Sequence, residues 1–279
     1  MGNIRTGKFG SVAPAVVERC EGCAVVRLAE EFCLDDYEYV TTGYRERLGQ
    51  GQSVETFFAE HDKLQRFTLG SVSPLSLRGK LVADIGCGGG ALLDHVSGLA
   101  REIVAIEPAK HFHSSLGKRG YRTFAYAQDA VGEYAGKVDL VFCIQVIEHV
   151  QDPLQLLRDI RTLLSPGGLA IVATPNLDQL LMDLLPDDYP SFFYRTVHRW
   201  YFDATSFRAM AERAEMEVFE LKYVQRYSIG NSLAWLRDRR PQGEIVLHGL
   251  ENEGLDAIWR SHLESSGKAE TFYAFLRAL

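Results

Sequence analysis

The stretch Leu81 to Leu93, LVADIGCGGGALL, admits few folds. A short apolar run, Leu81 to Ala83, leads through Asp84 and Ile85 into Gly86, Gly88, Gly89 and Gly90, after which apolar residues return at helical spacing. Such a run reads as a buried strand turning tightly into a helix. Glycines suit the turn because its backbone takes conformations that a side chain forbids and because a ligand has to come close to the main chain. The turn is therefore the candidate ligand site, with Gly86, Cys87 and Gly88 as its first residues.

Two ligand classes use a turn of this kind. Gly86, Gly88 and Ala91 satisfy G-x-G-x-x-G/A, so the glycines alone admit a dinucleotide such as NAD. Asp84 argues otherwise. It stands two residues before the first glycine, where a pyrophosphate lying on the turn would meet a negative charge. A ligand carrying an amino group or a sulfonium and no phosphate would not be repelled. Glu107 closes the next apolar run, Ile103 to Ile106, and is placed to accept hydrogen bonds from a ribose diol. Pro108 ends that run. Together these residues describe a nucleoside with a positively charged tail.

D-I-G-C-G-G-G, then I-V-A-I-E-P, then V-D-L-V-F-C-I-Q-V-I-E-H-V-Q-D-P and L-L-S-P-G-G-L-A-I-V-A-T-P-N follow one another in the chain. This series resembles the class I S-adenosylmethionine-dependent methyltransferases over about residues 80 to 224. The resemblance implies an α/β, Rossmann-like, doubly wound sheet of seven strands with the last antiparallel. It implies S-adenosylmethionine as cofactor, S-adenosylhomocysteine as product and a small-molecule acceptor. It assigns the adenine amine to Asp129 and a ring nitrogen to the backbone NH of Ala130. It puts the methionine moiety against the backbone near Cys143 and Ile144, and turns Gln145 toward the transfer site. His149, in E-H-V-Q-D-P, and His198 are equal candidates for a base, since histidine titrates near neutral pH; each could equally hold its loop in place.

Composition bounds the rest. The chain has 279 residues, 46% hydrophobic and 24% charged, as in ordinary globular proteins. A net charge of −7 and a pI near 5.7 disfavour a broad nucleic-acid or anionic-membrane surface. No run approaches the length of a membrane span, MGNIRTGKFG lacks the apolar core of a signal peptide, and five cysteines without regular spacing suit a reducing compartment. The expected location is the cytoplasm.

Residues 1–50 read as an N-terminal extension and 51–279 as the main domain. Cys20-Glu21-Gly22-Cys23 before an apolar run is similar to one knuckle of the zinc ribbon borne by many sugar-modifying methyltransferases. A structural zinc needs four ligands and only Cys33 is near, so the segment reads as a degenerate ribbon, or a strand with two buried thiols, and no metal is expected. Tyr37, Tyr39 and Tyr44 follow; related ribbon-bearing enzymes cover the methionine end of the cofactor with tyrosines of this region, which makes Tyr44 a candidate on the substrate side. Residues 54–70 read as one amphipathic helix.

Helices are expected over 91–99, 110–119, 153–164 and 205–214, and strands over 122–126, 139–143, 169–174, 218–224 and 271–279. Between the last two strands lies an insertion, 225–269, expected to act as a lid or substrate loop. Arg226, Tyr227 and Asn231 stand at its start as candidate substrate residues, alongside the reading of a polar hinge. The reading favours O-methylation of a sugar or other hydroxylated metabolite by in-line displacement. A NAD-dependent oxidoreductase and a non-catalytic S-adenosylmethionine-binding module are the alternatives.

Overall fold

The computed structural model describes residues 2–5, 12–35, 53–72, 76–240 and 252–279. Tyr37, Tyr39 and Tyr44 lie outside the described residues. In chain order the strands are β1 (Gly2–Arg5), β2 (Val12–Ala15), β3 (Val17–Arg19), β4 (Val26–Leu28), β5 (Leu81–Ile85), β6 (Glu102–Ile106), β7 (Arg122–Phe124), β8 (Val138–Ile144), β9 (Leu164–Pro175), β10 (Trp200–Tyr201), β11 (Met216–Val224) and β12 (Thr271–Ala278). The helices are α1 (Val54–His61), α2 (Gln65–Val72), α3 (Ala91–Val96), α4 (His113–Lys118), α5 (Ala127–Tyr134), α6 (Pro153–Leu163), α7 (Leu180–Leu184), α8 (Pro190–Phe193), α9 (Ala204–Arg213), α10 (Ile229–Asp238) and α11 (Glu253–Ser265).

The seven-stranded sheet has the order β11-β12-β9-β8-β5-β6-β7, with the last strands antiparallel. β5 pairs in parallel with both β6 and β8. All five of its residues are buried, as a strand covered on both faces should be. The chain runs outward from β5 to β6 and β7, then returns to β8 and β9 on the other side. That reversal opens a crevice at the carboxyl ends of β5 and β8, where doubly wound sheets bind ligands.

Local chemistry explains the helix that follows β8. The Asp152 carboxylate accepts the Gln155 NH at 2.9 Å as an N-cap, Pro153 fills the first helical position, and Leu156, Leu157, Ile160 and Leu163 are buried. Each such side chain contributes about 1.5–3 kcal/mol by leaving water. Asp203 caps α9 in the same manner, accepting the Ser206 NH at 2.7 Å.

Several boundaries differ from the sequence reading. The helix expected over 54–70 is two helices separated by a tighter turn at Asp62–Leu64. α3 stops at Val96 instead of 99. β9 begins at Leu164, ahead of the Ser-Pro-Gly-Gly stretch, because Val138 pairs with Leu164 while Leu140 pairs with Leu169, so residues 165–168 are absorbed as an irregularity inside the strand. The strand expected to reach 126 ends at Phe124, which leaves Asp129 and Ala130 inside α5. The Cys20 thiol is exposed and Cys23 half-buried, so they are not a pair of buried thiols.

By contacts the chain divides into two compact units, one of residues 1–33, 174–207 and 222–273, the other of 34–173, 208–221 and 274–279. The first has its own core, in which Ile4, Leu28, Leu185, Tyr189, Tyr201 and Trp235 meet. Among the described residues no helix is long and apolar enough to cross a membrane.

Candidate functional site

The site grows from the end of β5. Gly86 turns the chain with φ +74° and is solvent-exposed, while Cys87 to Gly90 are buried. The Gly86 NH donates to the Ile106 carbonyl at 2.7 Å, which ties the turn to β6. Gly88 and Gly90 also have positive φ, +54° and +88°. What comes close to Gly88 and Gly89, however, is a side chain of α1. A Cβ built on Gly88 would stand 2.5 Å from the Phe57 ring, and one on Gly89 2.7 Å from it. Phe57 stacks on His61 at 4.1 Å between centroids and meets Phe112 edge-on at 5.2 Å. All three glycines thus make room for side chains: Gly86 for the Val146 methyl, Gly88 and Gly89 for an aromatic roof.

Asp84 and Glu107 lie where the sequence reading put them, at the ends of adjacent strands. Asp84 is 4% exposed. Burial, and then the neighbouring Glu107 charge, push its carboxyl well above the usual carboxylate range. Among the described residues no donor meets it, so it is an acid poised for a ligand that brings N–H groups or positive charge. Glu107 differs. Its Oε2 accepts the Gly88 NH at 2.7 Å and its Oε1 the Ala109 NH at 2.8 Å. A carboxylate oxygen can accept more than one hydrogen bond, so such a group suits a diol. Pro108 is half-buried.

The other named positions fall in two groups. Cys87 and Cys143 are buried thiols raised well above their ordinary pKa, chiefly by desolvation, so they are poor nucleophiles and can contribute only backbone. Ile144 ends β8 half-buried. Gln145, next along, is a non-glycine residue in the left-handed region, φ +58°, held by its NH donating to the Ala173 carbonyl at 2.8 Å. Such a conformation persists only where the surroundings impose it, and it aims a side chain just past the strand end. No sequence signal announces it. Val146 is the next missed residue: its methyl would lie 2.3 Å from a Cβ on Gly86.

Asp129 is exposed, and its Oδ2 accepts the Tyr126 NH at 3.0 Å, capping the helix in which it sits. It is therefore a helix-capping acid rather than a loop acid. Ala130 is fully buried. His149 lies 3.8 Å from the buried Glu148 carboxylate. His198, Arg226, Tyr227 and Asn231 belong to the other unit. His198 lies against the Tyr201 ring. Asn231 is 6% exposed, in the first turn of α10.

A Methyltransferase domain family model matches residues 59–221, more than half of the chain. A ubiquinone biosynthesis O-methyltransferase from Caulobacter sp. (strain K31) is 36% identical over 127 residues, 43% of this chain and 50% of that protein. The chain thus spans about half the length of the curated relatives it matches. Among solved structures, a SAM-dependent methyltransferase from Archaeoglobus fulgidus aligns with TM-score 0.54 at 14% identity, covering 80% of this chain and 96% of that one. Another, from Thermotoga maritima, aligns at TM-score 0.52 and 19% identity over 81% of this chain and 94% of its own. At these identities the two structures speak for the fold alone.

Proposed function

Because this chain belongs to the class I S-adenosylmethionine-dependent methyltransferases, we propose that it transfers a methyl group to a hydroxyl of a small metabolite, a sugar or another hydroxylated molecule. Membership sets aside the dehydrogenase alternative that the glycine spacing left open. The observation that carries the reading is the Asp84 carboxyl, buried, with no donor among the described residues and under the influence of the Glu107 charge. That combination suits the ammonium and diol of S-adenosylmethionine and would repel a pyrophosphate.

S-adenosylmethionine, when bound, supplies an electrophilic methyl on sulfur. The chain's part is to bind, orient and exclude water. Asp84 takes the donors of the amino-acid tail. Glu107, already fixed by two backbone NH groups, accepts from the ribose hydroxyls. Gly86, Cys87, Gly88, Pro108, Cys143 and Ile144 offer backbone; Asp129 and Ala130 border the adenine, and Gln145 faces the transfer site. Positioning of the acceptor oxygen in line with the methyl supplies most of the rate, and His149 or His198 takes the hydroxyl proton. Residues 1–50 are an extension and 225–269 an insertion that selects the acceptor through Arg226, Tyr227 and Asn231, with Tyr44 on the same side. The O-methyltransferase name of the Caulobacter relative supports a hydroxyl acceptor.

Calorimetric titration with S-adenosylmethionine and S-adenosylhomocysteine tests this. Micromolar binding, about −8 kcal/mol, that is lost in Asp84→Ala and absent with NAD is the expected result. No heat with either sulfur nucleoside would sink the reading. Transfer of labelled methyl to a panel of hydroxylated acceptors then tests the acceptor class.

A further inference from the structure

Arg226 follows the carboxyl end of β11 and is held by one partner. Its backbone NH and its Nε both donate to Glu270 Oε1, at 2.9 and 2.8 Å. Glu270 is fixed in turn, its NH donating to Gln225 Oε1 at 3.1 Å, and Gln225 by its own NH donating to Glu264 Oε1 at 3.0 Å. The guanidinium is thus aimed. It carries five N–H donors, and Nε uses one. Among the described residues no acceptor meets those of Nη1 and Nη2. A third of the Arg226 side chain is open to solvent, against a tenth for Glu270, although protein groups crowd around it. Tyr227 lies with its ring 5.8 Å from the guanidinium carbon, and Tyr273 is close enough to act on its charge.

The outer edge of a guanidinium fork can be met by protein, by water or by a ligand. Here that edge stands open, beside aromatic faces. The remaining N–H groups match a planar carboxylate, the geometry in which arginine binds most strongly. The negative Glu270 alongside disfavours a doubly charged phosphate and leaves a singly charged group as the better fit.

We infer that Arg226 is the recognition point for the carboxylate of a small-molecule ligand, with Glu270 as the positioning residue that holds its guanidinium and Tyr227 as the adjoining wall. This names a ligand class and goes beyond the methyl transfer read above.

Benzoate and benzamide, equal in size and differing in charge, are the probes, titrated into the full chain by calorimetry. Benzoate is expected to bind at least tenfold more tightly than benzamide. Arg226→Gln should abolish that preference, and Arg226→Lys, which keeps the charge without the fork, should lose part of it. Glu270→Gln removes the competing charge while keeping an acceptor for the Arg226 donors, and should tighten benzoate several-fold; a purely structural pair would not produce a gain. Equal binding of the two probes, no binding of benzoate, or benzoate binding that is unchanged in Arg226→Gln and unimproved in Glu270→Gln would overturn the inference. S-adenosylmethionine is titrated into the same samples. Its heat persisting while the benzoate preference is missing removes this inference alone, whereas loss of its heat in the parent protein removes the cofactor reading.

Discussion

Asp84 pays in stability for its burial beside Glu107. Burial and the Glu107 charge both raise its carboxyl, so its ionised form costs the folded protein more than the unfolded chain. Stability that is present below about pH 4, the unfolded value, is lost as pH rises through the higher folded one. Asp84→Asn removes that cost. Without ligand the variant should exceed the parent by about 1 kcal/mol at pH 8 and converge with it below pH 4, read as melting temperatures across pH. The same variant should lose S-adenosylmethionine binding by tenfold or more. Glu107 gives the opposite result. Its two oxygens satisfy the Gly88 and Ala109 NH groups, and an amide has only one acceptor. Glu107→Gln should therefore cost about 1–3 kcal/mol in urea denaturation, with one buried NH left facing another donor. Both acids were legible in the sequence because each closes an apolar run. Gln145 was not, since a φ of +58° is imposed by the strand end and the Ala173 carbonyl and leaves no mark on residue type.

The glycine turn and α1 form one packed unit, and a double-mutant cycle can read their dependence. Gly88→Ala places a methyl 2.5 Å from the Phe57 ring at a backbone φ of +54°. Left-handed backbone costs an alanine about 1–2 kcal/mol, and overpacking adds about 1–3. Phe57→Leu leaves space above the turn and costs stability on its own. Combined, the two should recover about 1 kcal/mol or more relative to the sum of the single losses, since only the overpacking is relieved. Strict additivity in urea denaturation would mean that the ring does not constrain Gly88. The turn's glycines were legible in sequence, but the reason for two of them was not. Nothing in the spacing of Phe57 says that α1 folds back over Gly88 and Gly89. The break at Asp62–Leu64 was hidden for a related reason: apolar residues spaced for a helix fit an α-helical and a tighter turn alike. The doubly wound sheet, by contrast, was implied by the resemblance that the motif series carries, and the β5 and β8 ends came with it.

At the scale of the whole chain, neither unit is a continuous segment. The core of Ile4, Leu28, Tyr201 and Trp235 draws on strands and a helix far apart in sequence, and no periodicity links them. Motifs read along the chain therefore pointed to the half in which the proposed cofactor residues follow successive strands, and left the other half as an extension and an insertion. The division predicts two footprints in hydrogen exchange on the full chain. S-adenosylmethionine should protect amides around 84–90, 106–109 and 143–146, because the contacts proposed for it fall on the ends of β5, β6 and β8. Benzoate should protect amides near Arg226 and Glu270, whose NH groups already lie in the Arg226–Glu270–Gln225 network. Since a ligand stabilises what it binds by its mass-action term, the protection in each set should grow with that ligand's concentration and not with the other's. Protection by S-adenosylmethionine at 225–227 and 270 with none at 84–90 would overturn the assignment of the glycine turn as the cofactor site. Benzoate protection at 84–90 alone would mean that the small acid occupies the cofactor's own place, and Arg226 would then have no part in its binding.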